Sequence, residues 1–257
     1  MGRALGAEWT KLRTLPGTVW LLLTVVALTV AVGSTAAAAV TCPAAGCGQD
    51  PARASLSGID LSQAIVAVLA VLAISAEYST GLIRVTLTAM PRRITVLTAK
   101  AVVVTGLVLV AGALGVLASM LAGRLILPGH GFTAGHGYPV FSLATGVDLR
   151  AAAGSVLYLA LIALLALGTA TAVRDSAGSI GVVLGLLYLF PIVASAVSPA
   201  WSRHLQQIGP MSAGLDIQAT TGLRSLPLSP WAGLGVLAAW AAAALLAGGL
   251  LFRCRDA

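Results

Sequence analysis

Six apolar runs alternate with short polar segments along the chain, at about 18–40, 59–76, 101–123, 151–173, 177–198 and 231–252. Each is close to the ~20 residues that an α-helix needs to cross about 30 Å of hydrocarbon, and six crossings return the chain to its starting side. The pattern predicts an all-α integral membrane protein with both termini on one side. The longest gaps, about 124–150 and 199–230, are too short for a folded soluble unit, so residues 1–257 read as a single transmembrane domain.

Finer periodicity adds detail. Trp201, His204, Leu205 and Ile208 fall at helical spacing before Gly209-Pro210, which predicts a short helix lying on the outer surface. Leu5, Trp9, Leu12 and Leu15 recur near i, i+3, i+4 while Glu8, Lys11 and Arg13 are polar. This predicts an N-terminal helix in the membrane interface with Trp9 at headgroup depth. Ile83, Leu87 and Met90 share one helical face in the polar stretch 77–100; Pro91 ends that helix and Arg92-Arg93 opens a second segment leading into the third span. Within the spans, Gly181 and Gly185 and the Gly248-Gly249 pair predict close helix packing, and Pro191 predicts a bend that serves the shape of its helix.

Composition agrees: 58% of residues are hydrophobic and 9% charged, with a mean hydropathy of +0.99. Ten of the fifteen basic residues fall on alternate segments, which by the positive-inside rule are cytosolic. The net charge of +7 is therefore a topology signal and implies no nucleic-acid partner. A cleaved signal peptide is disfavoured for the first run, which exceeds the ~7–15-residue core of such peptides. Cys42 and Cys47 fall in the first outer loop, as a small-loop disulfide or as two free thiols; the spacing does not choose between them.

Glu8-Trp9-Thr10-Lys11-Leu12-Arg13, the pattern Glu77-Tyr78, Gly81, Ile83-Arg84, Leu87, Pro91-Arg92-Arg93, Leu97 and Lys100, and the closing Arg253-Cys254-Arg255 resemble the permease subunits of actinobacterial ABC-2-type ABC transporters. The resemblance covers essentially the whole chain. It implies a multi-pass protein of the bacterial plasma membrane, a coupling helix between spans two and three that docks on a separate ABC ATPase subunit, and assembly with a second permease copy or a paralogue. Carried to matching positions, Glu77, Arg84, Pro91, Arg92, Arg93 and Lys100 belong to the coupling region, and Glu8, Trp9, Lys11 and Arg13 to the interfacial helix. ATP and Mg would then be bound by the partner, and the direction of transport would be export.

The residues fit that division of labour. There is no Gly-x4-Gly-Lys-Ser/Thr phosphate loop, since the lysines are Lys11 and Lys100 and neither follows a glycine. His130 and His136 lie six apart in a Gly/Pro-rich loop without neighbouring Glu or Cys, a pattern of solvated loop residues and not of a metal or catalytic pair. No catalytic residue and no metal ligand is assigned. Apolar spans with scattered hydroxyls suit a lipid-like, peptide or drug-like amphipathic cargo. The reading from another class is a non-transporting scaffold or sensor whose cytosolic loop recruits a partner.

Overall fold

The computed structural model describes residues 2–42, 48–81, 93–133 and 146–254. Helix α1 (Gly2–Thr14) precedes α2 (Pro16–Ala39); a short α3 (Pro51–Leu56) leads into α4 (Ile59–Ser79), and α5 (Arg93–Ile126) follows. Then come α6 (Gly146–Val173), α7 (Ser176–Ala196), α8 (Pro199–Ile208), α9 (Pro210–Leu215) and α10 (Pro230–Cys254). No strand occurs among the described residues. Among the described residues, six helical stretches are long and apolar enough to cross a membrane: 16–39, 51–78, 94–130, 146–173, 176–196 and 230–254.

Local chemistry sets the breaks. Pro16, Pro51, Pro199, Pro210 and Pro230 each open a helix, where a missing N–H costs nothing. Asp50 caps α3 by accepting from the N–H groups of Ala52 and Arg53, and Asp175 caps α7 through Gly178 N–H at 2.6 Å. Helix α7 runs through Pro191 without interruption. The predicted short helix at 201–208 is α8, none of whose residues is buried.

Helix α6 is the centre of the bundle, with Tyr158, Leu159, Ile162, Leu165 and Leu167 fully covered by α4, α5 and α10. It meets α10 backbone to backbone: a Cβ on Gly168 would lie 2.5 Å from the Ala244 carbonyl carbon, and one on Gly248 would lie 2.4 Å from the Gly168 oxygen. The expected packing role therefore holds for Gly248. For Gly181 and Gly185 it does not hold among the described residues, because a Cβ placed on either would meet no other element within 4 Å.

Between α2, α3, α4 and α5, polar side chains hold the helices together. Thr29 and Ser62 hydroxyls meet at 2.8 Å, and Ser119 Oγ donates to the carbonyls of Ser55 at 2.6 Å and Thr29 at 3.2 Å. All four side chains are buried, where a hydrogen bond left unmade is costly. Close approach there depends on Gly33 and Gly58, whose added Cβ would strike the carbonyl oxygens of Ser55 and Thr29 at 2.1 and 2.3 Å.

Candidate functional site

The third long helix starts eight residues before its apolar run, and this changes the polar stretch 77–100. Glu77 and Tyr78 end α4, and Lys100 lies in the second turn of α5, so both ends of the expected loop are helical. Arg84, Pro91 and Arg92 lie outside the described residues, as does the predicted helical face of Ile83, Leu87 and Met90. Arg93 opens α5.

What the structure brings together are the two charged ends of that stretch and α1. Lys100 Nζ lies 2.5 Å from Glu8 Oε2 and 3.0 Å from Glu77 Oε1. Lys11 Nζ lies 2.9 Å from Glu77 Oε1 and 3.1 Å from Glu8 Oε1. Two ammoniums and two carboxylates thus alternate in a closed ring of zero net charge. Glu8, Lys100 and Glu77 are 1%, 2% and 5% exposed, whereas the Lys11 side chain keeps 38% of its surface. Burial by itself lowers the Lys11 pKa, but the hydrogen bond to Glu77 and its charge, then those of Glu8, outweigh it and hold the ammonium above its ordinary 10.5. Glu77 Oε2 is buried without a hydrogen-bond donor among the described residues.

The sequence assigned Glu8 and Lys11 to one element and Glu77 and Lys100 to another, and gave no sign that they meet. It also left open which face of α1 turns toward the bundle. Ala4, Glu8 and Leu12, spaced four apart, form the covered face, while Trp9 and Leu15 are about half exposed and Arg13 is exposed. Glu8 is therefore an inward residue of α1 and not part of a solvated polar face, because paired ammoniums remove the cost of burying its charge. Trp9 lines an apolar groove between α2 and α5 with Leu22, Val26 and Leu107. Lys11 and Arg13 occupy the last turn of α1, where cations complement its exposed carbonyls.

A second contact braces the same end. Arg174, in the left-handed conformation at φ 65°, closes α6, and its guanidinium lies over the Tyr78 ring at 5.4 Å. Ser176 Oγ donates to Ser75 Oγ at 2.8 Å. The turn between α6 and α7 is thereby fastened to the end of α4. With the ring neutral, Arg13, Arg174 and Arg253 against Asp175 leave this the basic end of the bundle among the described residues.

The other expected sites lie at the opposite end. Cys42 is buried and disulfide-bonded, and its N–H donates to His130 O at 2.8 Å; Cys47 lies outside the described residues. His130 Nδ1 is 3.0 Å from Ile126 O, a local helix-end contact, and His136 lies outside the described residues. No protein-family model and no curated protein matches this chain.

Proposed function

We propose that the chain is the permease subunit of an ATP-driven ABC-2-type exporter in the bacterial plasma membrane. Its basic end faces the cytosol and segment 82–92 docks on a separate ATPase subunit that binds ATP and Mg. One observation carries this reading: the buried ring of Glu8, Lys11, Glu77 and Lys100 joins α1 to both helices that flank that segment. A coupling device must pass displacement on without yielding. Leaving a buried charge unpaired costs about 3–5 kcal/mol, so α1, the end of α4 and the start of α5 move together when segment 82–92 is pushed.

The remaining parts fit the same role. Helices α2 and α7 leave most of their span surface uncovered, 22% of each apolar window being buried, which gives a second permease copy two faces to meet. Six membrane-length helices per copy supply the walls of a shared pathway.

The test is co-purification with a candidate ATPase, reconstitution into vesicles and assay of ATP-dependent movement of amphipathic cargo. Charge reversal at Arg92 and Arg93 should abolish ATPase association while membrane insertion stays normal. An ATPase that associates but drives no vectorial movement would favour the scaffold reading, and a chain to which no ATPase binds ends the transport reading.

A further inference from the structure

The opposite end of the bundle holds two adjoining chambers that the charged ring does not reach. The first, about 390 Å³, is lined by Asp50, Arg53, Asp60 and Gln218. The second, about 380 Å³, shares Arg53, Asp60 and Leu215 with the first and adds Asp216, Pro191 and Met211. Each is in the ~300–1,000 Å³ range of small-molecule sites and mixes a few polar groups with apolar wall.

The three carboxylates of these chambers differ in what they already hold. Asp50 is saturated: it accepts from the N–H groups of Ala52 and Arg53 and from Thr220 N–H, Thr220 Oγ1 and Thr221 N–H. The carboxylates of Asp60 and Asp216 receive no hydrogen bond among the described residues; the charge they feel is that of Arg53, which acts on both. Their positions are nevertheless fixed. Asp60 O accepts from Tyr188 Oη at 2.6 Å and Gln63 Nε2 at 3.0 Å, and Asp216 lies in a buried 3-10 turn over α6. Gln218, 2% exposed, lines the first chamber, and its Nε2 has no acceptor among the described residues. Two unmet carboxylates against one arginine leave a negative charge without a partner, and an idle amide donor stands beside it.

We propose that this double chamber binds an amphipathic organic cation, with a primary or secondary ammonium between Asp60 and Asp216, a hydrogen-bond acceptor meeting Gln218, and an apolar body against Pro191, Met211 and Leu215. An ammonium supplies both the charge and the donors that the carboxylates lack, in surroundings less polar than water, where such pairing is strong. Burial raises Asp216 to about 6 against the pull of Arg53, so the group is ionised at neutral pH while lacking full compensation. The inference deepens the permease reading by naming a cargo class, and it rests on that reading only for the transport that comes after binding.

The probe is dansylcadaverine, a fluorescent primary amine with sulfonyl acceptors, titrated at pH 8 onto the full chain in nanodiscs without any ATPase. Its N-acetylated, neutral form is the control. Saturable binding is expected for the amine alone. D60N and D216N should each weaken it at least tenfold, R53Q should tighten it severalfold by removing the competing cation, and D148N, which lines neither chamber, should leave it unchanged. If an aspartate variant fails to fold, R53Q and Q218A carry the test, the latter weakening binding severalfold. Absence of saturable binding, equal binding of the acetylated form, indifference to the changes at Asp60 and Asp216, or weaker binding in R53Q would each overturn the proposal. Because no ATPase is present, failure here is separable from failure of the transport reading.

Discussion

Glu8 and Lys100, 92 residues apart in sequence, meet at 2.5 Å with both side chains almost wholly buried. Their contact ties the N-terminal helix to the bundle through Glu8, while Trp9 on the same helix stays about half exposed.

Breaking that pair from one side should be severe. E8Q and K100M should each lose about 3–5 kcal/mol, because three charges then share a ring that only four balance and one buried charge goes uncompensated. The double variant E8Q/K100M should lose clearly less than the sum, since no orphan charge remains. Thermal melts of the four proteins in one detergent give the cycle; strict additivity would show that the two charges do not support each other.

Lys11 joins the same ring but is partly open to solvent, so K11M should cost far less, on the order of 1 kcal/mol, as for exposed ion pairs. Its pKa is raised above 10.5, so its contribution is fully present below that value and is lost only as pH rises through the folded pKa. Melts of K11M and the parent should run parallel from neutral pH to about 10. Convergence of the two curves near neutrality would contradict the assignment.

Asp216 should show the same sign of pH dependence in an acidic window. Its carboxyl titrates near 6 in the folded chain against 3.8 ordinarily, so the folded state binds the extra proton between those values. Stability from this group is present below 3.8 and is lost as pH rises through about 6. D216N, which cannot ionise, should melt above the parent at pH 7–8 and lose that advantage toward pH 4. A pH-independent gap between the two would remove titration as the cause.

The six spans were legible because hydrocarbon thickness and the burial of backbone polar groups leave the sequence little freedom. The charged ring was not. Lys100 reads as a loop residue because an isolated lysine ends a span, and only its partners, supplied by Glu8 and Glu77 from other helices, let the helix start earlier and bury it. The N-terminal periodicity likewise named the helix but not its inner face, because hydropathy alone ranks Trp9 above Glu8 for burial. Saturation of Asp50 and the unmet state of Asp60 were equally invisible, since both depend on whether residues 216–221 fold back over α3.

The glycines separate in the same way. G168A and G248A place a methyl against backbone at 2.4–2.5 Å and should cost about 1–3 kcal/mol by forcing α6 and α10 apart. G181A and G185A meet nothing within the chain and should leave its monomer stability unchanged or slightly raised. Measured both by melting and by crosslinking of copies, a loss confined to crosslinking in the second set would identify that face of α7 as a contact between two copies of the chain.

Helix α5 is held at two unequal stations, the charged ring near its start and the hydroxyl of Ser119 near its end. At 1.5 Å per residue, Arg93 lies roughly 40 Å from Ser119 and Ile126 roughly 10 Å beyond it. A tilt of this helix about Ser119 would displace Arg93 roughly four times as far as Ile126. The short arm ends beneath the turn that holds His130 against Cys42, so the two ends of the helix would feel one tilt unequally.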